Sequence, residues 1–181
     1  IQRELWERVG ARSTVVAYGA SKTSPERAIP HHELLERFHL GEFVLVIARP
    51  EPENQIHVIA DAYRRSRRAR PLLIVGDFTS NEYGKRLVAA HPEIQFVGPV
   101  YSPVVLDELR RRSWLYLHGH SVGGTNPSLI EAIAASALIV AHSNVFNTWV
   151  LGSGGLYFSD RESLTTILDS QISVGERKRL L

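Results

Sequence analysis

The chain contains neither cysteine nor methionine. Without cysteine there can be no disulfide framework and no thiolate metal site. No apolar run approaches the roughly 18–20 residues that a membrane-spanning helix requires, and no signal peptide is visible. A strong charge imbalance is missing as well. Lys and Arg number 21 against 19 Asp and Glu, a formal net charge of +2, so nothing demands nucleic-acid binding. Arginines cluster at 64, 65, 67, 68 and 70 and again at 110–112. Both clusters fall at predicted helix ends, where cations complement the helix dipole. They read as solvated surface, with peripheral contact to a phosphate-rich membrane face as the alternative. The expected location is the cytoplasm, or the cytoplasmic face of a membrane. The missing initial methionine, with a start inside a helical pattern, creates the expectation of a piece of a longer protein.

What is present suits one substantial core: 181 residues, 44% of them hydrophobic. Apolar residues at 1, 5, 6 and 9 have helical spacing and stop at Gly10. The β-branched run 13–18 is a strand candidate. Residues 21–30, mixing Ser, Thr, Pro and charge without period, read as a linker. Leu34, Leu35 and Phe38 suit a short helix, with His31 and His32 solvated before it.

From Phe43 onward the pattern is regular. Short apolar runs at 43–48, 72–75, 94–97, 114–117, 138–141 and 156–158 alternate with helical segments at 53–66, 82–90, 103–112, 127–135, 145–151 and 161–169. Continuously apolar strands joined by helical crossovers predict an α/β fold, a doubly wound parallel sheet of Rossmann-like type. Such sheets bind ligands beyond the carboxyl ends of their strands. That rule selects the loops at 49–54, 76–78, 98–101, 118–126 and 142–147.

The loop at 118–126 is the most informative. It runs His118-Gly119-His120-Ser121-Val122-Gly123-Gly124-Thr125-Asn126 and then enters a helix at Pro127. A helix start leaves N–H groups unpaired and carries partial positive charge, so it stabilises an anion such as phosphate. Asn126 is a suitable cap and Pro127 a suitable first residue. One carboxylate, Glu131, sits among Leu129, Ile130, Ala132 and Ile133 on the helix. It either complements the dipole or accepts hydrogen bonds from vicinal ribose hydroxyls. Arg49, at the end of the first core strand, offers a planar fork to a diphosphate, or else pairs with Glu51 or Glu53. Gly98 and Val100, with Tyr101, suit either a turn against the core or a backbone contact with a planar base. Of His118 and His120, one would bond phosphate or sugar hydroxyls while the other holds the loop. They lack a third ligand at matching spacing, so no metal is expected.

Together these residues resemble the C-terminal, donor-binding domain of a GT-B glycosyltransferase of the large retaining family that uses nucleotide sugars. The residues that carry the likeness are the loop 49–54, Gly76-Asp77 and Gly98 at the next strand ends, and the acidic motif 123–135. The longer run from His118 to Leu129 is similar to a subgroup of bacterial rhamnosyltransferase-like enzymes that build surface polysaccharides. The resemblance implies residues 1–20 as the tail of an absent acceptor domain, 21–42 as a linker and 43–181 as the nucleotide-sugar domain. It implies donor contacts from Asn54, Gly98, Val100, His118, Gly123, Gly124, Thr125, Asn126, Ser128, Leu129 and Glu131, with Arg49 and His120 assisting departure of the diphosphate. No metal or other cofactor is implied. The donor would be a nucleoside-diphosphate sugar, and a glycan or lipid-linked acceptor would be held by the absent domain. Two positions depart from the family pattern: Gly123 stands where a second glutamate is usual, and Asn54 where a lysine is common. A sugar-nucleotide epimerase of the same build, and a non-catalytic nucleotide-sugar-binding domain, are the alternatives.

Overall fold

The computed structural model describes residues 2–14, 16, 19–20, 33–38 and 42–170. The predicted linker 21–30, His31 and His32 lie outside them. Two short helices come first, α1 (Gln2–Val9) and α2 (Glu33–Arg37). Six strands follow: β1 (Val44–Ile47), β2 (Leu72–Val75), β3 (Gln95–Phe96), β4 (Leu115–His118), β5 (Ile139–His142) and β6 (Leu156–Phe158). Helices α3 (Ile56–Arg65), α4 (Glu82–Ala90), α5 (Pro103–Arg112), α6 (Pro127–Ala134), α7 (Val145–Leu151) and α8 (Arg161–Asp169) alternate with them. All strand pairs are parallel and the sheet order is β3-β2-β1-β4-β5-β6.

Alternation along each strand divides the core in two. Val44, Val46, Leu72, Ile74, Leu115, Leu117 and Val140 face one layer, filled by Ile56, Ile59 and Tyr63 of α3, Leu87 of α4, and Leu164 and Leu168 of α8. Leu45, Leu73, Val75, Tyr116, Ile139 and Ala141 face the other, against Leu109 of α5, Leu129 and Ala132 of α6, and Leu151 of α7. Because both faces are covered, the strands are mostly apolar, which is why they read as nearly unbroken runs.

Two predicted elements differ. Residues Ser13, Thr14 and Val16 of the predicted strand 13–18 are not in a strand, and Val16 is exposed. The remaining residues of that run, 15, 17 and 18, lie outside the described residues. The predicted helix 53–66 is split into a 3-10 turn (Pro52–Asn54) and α3, because Gln55 between them has φ 53°. A left-handed residue cannot continue a helix, and it redirects the chain.

The order reverses at β1 and β4, so the connections leaving these two neighbours pass to opposite sides and a crevice opens at their carboxyl ends. Ile74 is fully buried in a central strand. Ile74→Ala is expected to cost about 2–5 kcal/mol through lost burial and the cavity left behind, measured by denaturant unfolding.

Candidate functional site

A cavity of about 420 Å³ occupies that crevice. Its walls come from the end of β1 and the turn after it (Arg49, Asn54), the end of β4 (His118 to His120), the start of α6 (Asn126, Ser128) and Glu131. Seven of the predicted site residues therefore meet in one place. The other six do not line it. Leu129 is wholly buried in the core beneath α6, and Gly98 lies at φ 76° with its carbonyl accepting from Gly76 N–H at 3.0 Å. Val100 packs against the α5–α6 side of the core. Gly123 and Gly124 are exposed beside the cavity mouth and Thr125 is half-buried. The turns after β2 and β3 thus brace one another at the far side of the edge, away from the crevice.

Three loops are joined to shape the wall. Ser121 donates through both its N–H and its Oγ to Glu53 O, at 2.8 and 2.9 Å. Asn144 and Asn147 at the start of α7 donate through Nδ2 to His120 O, at 3.0 and 2.9 Å. Gly119 allows the close approach: a Cβ there would stand 2.2 Å from Asn54 O. Asn144 also caps α7, accepting from Phe146 N–H and Asn147 N–H. The sequence marks this loop only as a strand end, and caps are its one legible signal.

At the start of α6 Pro127 has no N–H, and Asn126 caps the helix by accepting from Ser128 N–H at 2.9 Å. Of the amides from Gly123 to Ser128 that the loop and helix start could offer an anion, Pro127 therefore supplies none and that of Ser128 is taken. Within the described residues the N–H groups of Gly123, Gly124 and Thr125 make no hydrogen bond. Tyr116, buried under the helix, shares a 2.6 Å hydrogen bond with Ser128 Oγ that ties α6 to β4. Burial pushes its phenol above the ordinary range.

Arg110 corrects the expectation of a solvated arginine run. It is 2% exposed, donates to Asp107 at 3.1 Å and to Glu131, and lies over the Tyr116 ring. Its inward turn follows from α5 packing on α6, which brings an arginine against the lone carboxylate of an apolar helix. Which of the three arginines pairs with Glu131 depends on that packing. Glu131 itself is not deeply buried, since its side chain is 46% exposed. Its carboxylate stands on the cavity wall, paired on one side with Arg110. Arg49 is exposed and forms no ion pair with Glu51 or Glu53 among the described residues.

His118 is 5% exposed, with Nε2 fully buried and without a hydrogen-bond partner. Burial, helped by the neighbouring His120, pushes its pKa down to about 3. Burial also lowers that of His120, Glu53 opposing and Arg49 reinforcing the effect.

This sheet, with its strand order and flanking helices, has the fold of GT-B glycosyltransferases. No protein-family model matches the chain, and no curated protein sequence matches it. Among solved structures, the pneumococcal O-GlcNAc transferase GtfA in complex with UDP and GlcNAc is similar over 99% of this chain and 36% of its own, at TM-score 0.65 and 14% identity. An UDP-forming α,α-trehalose-phosphate synthase from Burkholderia xenovorans is similar over 81% of this chain and 40% of its own, at TM-score 0.66 and 14% identity. Anabaena HepE in complex with UDP-glucose gives TM-score 0.63 and 17% identity over 76% of this chain and 40% of its own. At these identities the likeness is one of fold. The chain spans well under half the length of each neighbour.

Gly119→Ala is expected to destabilise by about 1–3 kcal/mol, since backbone on both sides must move, and to lower the denaturant midpoint. His118 generates a pH dependence. Its folded pKa lies below the unfolded value near 6.5, so the unfolded chain binds the proton that the folded ring refuses. Its contribution is fully present above pH about 6.5 and declines as pH falls toward 3, by about 1.4 kcal/mol per unit. Urea unfolding over that range should show a shallower decline for His118→Asn than for the wild type.

Proposed function

We propose that the chain is the donor-binding domain of a glycosyltransferase that moves a sugar from a nucleoside-diphosphate sugar to a hydroxyl acceptor. The observation that carries this is the meeting of Arg49, the His118–His120 segment, the start of α6 and Glu131 in one cavity at the strand-order reversal. Nucleotide complexes of two fold neighbours, GtfA with UDP and HepE with UDP-glucose, support it.

In this reading Arg49 and the N–H groups of Gly123, Gly124 and Thr125 hold the diphosphate. Negative charge gathers there as the glycosidic bond to the donor phosphate breaks, and donors already in place lower that barrier. Glu131, steadied by Arg110, accepts hydrogen bonds from the ribose hydroxyls. The reading assigns no metal, because the arginine and the loop amides take the charge. Retention of anomeric configuration follows the resemblance to the large retaining family, and a role in bacterial surface polysaccharide synthesis follows the rhamnosyltransferase-like resemblance of residues 118–129. The acceptor and any base for it belong to a further domain, so the isolated chain binds nucleotide without turnover.

Calorimetry of the 181-residue chain with nucleoside diphosphates is the test. Binding at or below millimolar concentration is expected. Glu131→Ala is expected to weaken it about tenfold or more, the loss of hydrogen bonds to a charged acceptor being worth about 1.5–3 kcal/mol. A folded sample that binds none of them at millimolar concentration rules the proposal out.

A further inference from the structure

His120 and Asn54 lie 66 residues apart and meet on the cavity wall. The Asn54 carboxamide is oriented by its own loop: Nδ2 donates to Arg49 O at 2.9 Å. Its Oδ1 then faces His120 Nδ1 at 3.0 Å. An amide oxygen only accepts, so the nitrogen opposite it must carry the proton. In the neutral ring the lone pair is left on Nε2. That atom points toward the turn at Gly123, where a Cβ would stand 3.5 Å away.

The ring has little freedom to reverse this arrangement. His120 O is held by Asn144 and Asn147, and the next residue is tied twice to Glu53 O. A flipped ring would place a carbon against Asn54 Oδ1 and lose the hydrogen bond. Charged or titratable groups around it are Glu53 and Arg49 on the loop after β1 and His118 on β4. Burial is the largest influence; together with Arg49, and against Glu53, it holds the ring below its ordinary pKa and therefore neutral near pH 7. Within the described residues Nε2 has no hydrogen-bond partner and is not among the fully buried atoms.

A neutral ring in this tautomer, on a residue of the cavity wall, presents an acceptor on the side of the Gly123 turn. Ionised phosphate oxygens have no proton to offer it, whereas a hydroxyl does. We propose that Asn54 is a positioning residue that locks His120 in the Nδ1–H tautomer, and that His120 Nε2 accepts a hydrogen bond from a hydroxyl of the bound donor sugar. This rests on the nucleotide-sugar reading for its ligand but not for its tautomer. It replaces the phosphate-stabilising role that the sequence suggests for His120. It also gives Asn54 a task other than touching the ligand.

The tautomer is read by two-bond proton–nitrogen correlation spectra of the 15N-histidine-labelled chain, with His120→Gln identifying the resonances. Wild type should show Nδ1 protonated and Nε2 unprotonated. Asn54→Leu should yield averaged shifts of a mixed tautomer, and Asn54→Asp should raise the His120 pKa. A wild-type ring with the proton on Nε2 overturns the lock.

Calorimetry supplies the ligand arm, comparing a nucleoside diphosphate with the corresponding nucleoside-diphosphate hexose. His120→Ala is expected to weaken the hexose complex about tenfold more than the diphosphate complex, and His120→Gln, whose amide oxygen can accept, should recover part of the difference. Equal loss for both ligands overturns the hydroxyl contact while leaving the nucleotide-sugar reading in place. Failure of folded wild type to bind either ligand overturns that reading and the contact together, whichever tautomer the spectra show.

Discussion

The carboxyl edge of this sheet depends on one close approach, that of the Asn54 backbone to Gly119. A side chain at 119 would occupy the position of Asn54 O, so only glycine lets the turn after β1 lie directly on the end of β4. Once it does, Ser121 reaches Glu53, His120 reaches Asn54, and the start of α7 closes over His120 O. These hydrogen bonds cross between loops that have no shared secondary structure. Parallel strands bring the loops to the same edge, and the glycine contact turns that proximity into a wall.

Charge is distributed around the wall unevenly. Arg110 is withdrawn from solvent and spent on Asp107 and Glu131, while Arg49 is exposed at the mouth. A buried arginine flanked by two carboxylates contributes order more than net stability, because its desolvation offsets much of the attraction. It holds Glu131 against one side of the cavity. The two histidines near the opposite wall add no positive charge at neutral pH, since burial lowers both. Of the two arginines that line the cavity, Arg49 on the β1 side is thus the exposed one.

Much of the fold was legible in residue order. The runs 72–75 and 156–158 and the helices 82–90, 103–112, 145–151 and 161–169 coincide with observed elements, because an apolar run buried on both faces and a capped amphipathic segment each carry their signal within a few residues. Asn126, readable as a cap, is one. The site was legible in part. Arg49, Asn54, His118, His120, Asn126, Ser128 and Glu131 share the cavity, and all sit at strand or helix ends that local pattern marks. Arg110 was hidden, since three successive arginines look alike until α5 is rotated against α6. Gly98 and Val100 sit at an equally plausible strand end, yet β3 is the edge strand farthest from the reversal on its side.

By itself the sequence determined the alternation of buried strands and covering helices, the parallel sheet that follows from it, and the edge on which a ligand site would form. Those are consequences of periodicity and capping, which act over a turn of helix or a pair of strand residues. Tertiary structure decided which side chains meet. Asn54 found His120, Arg110 found Glu131, and the base-side loop was set outside the cavity. Such pairings are set by strand order and by the rotation of one helix against another, and those depend on packing between segments far apart in the chain.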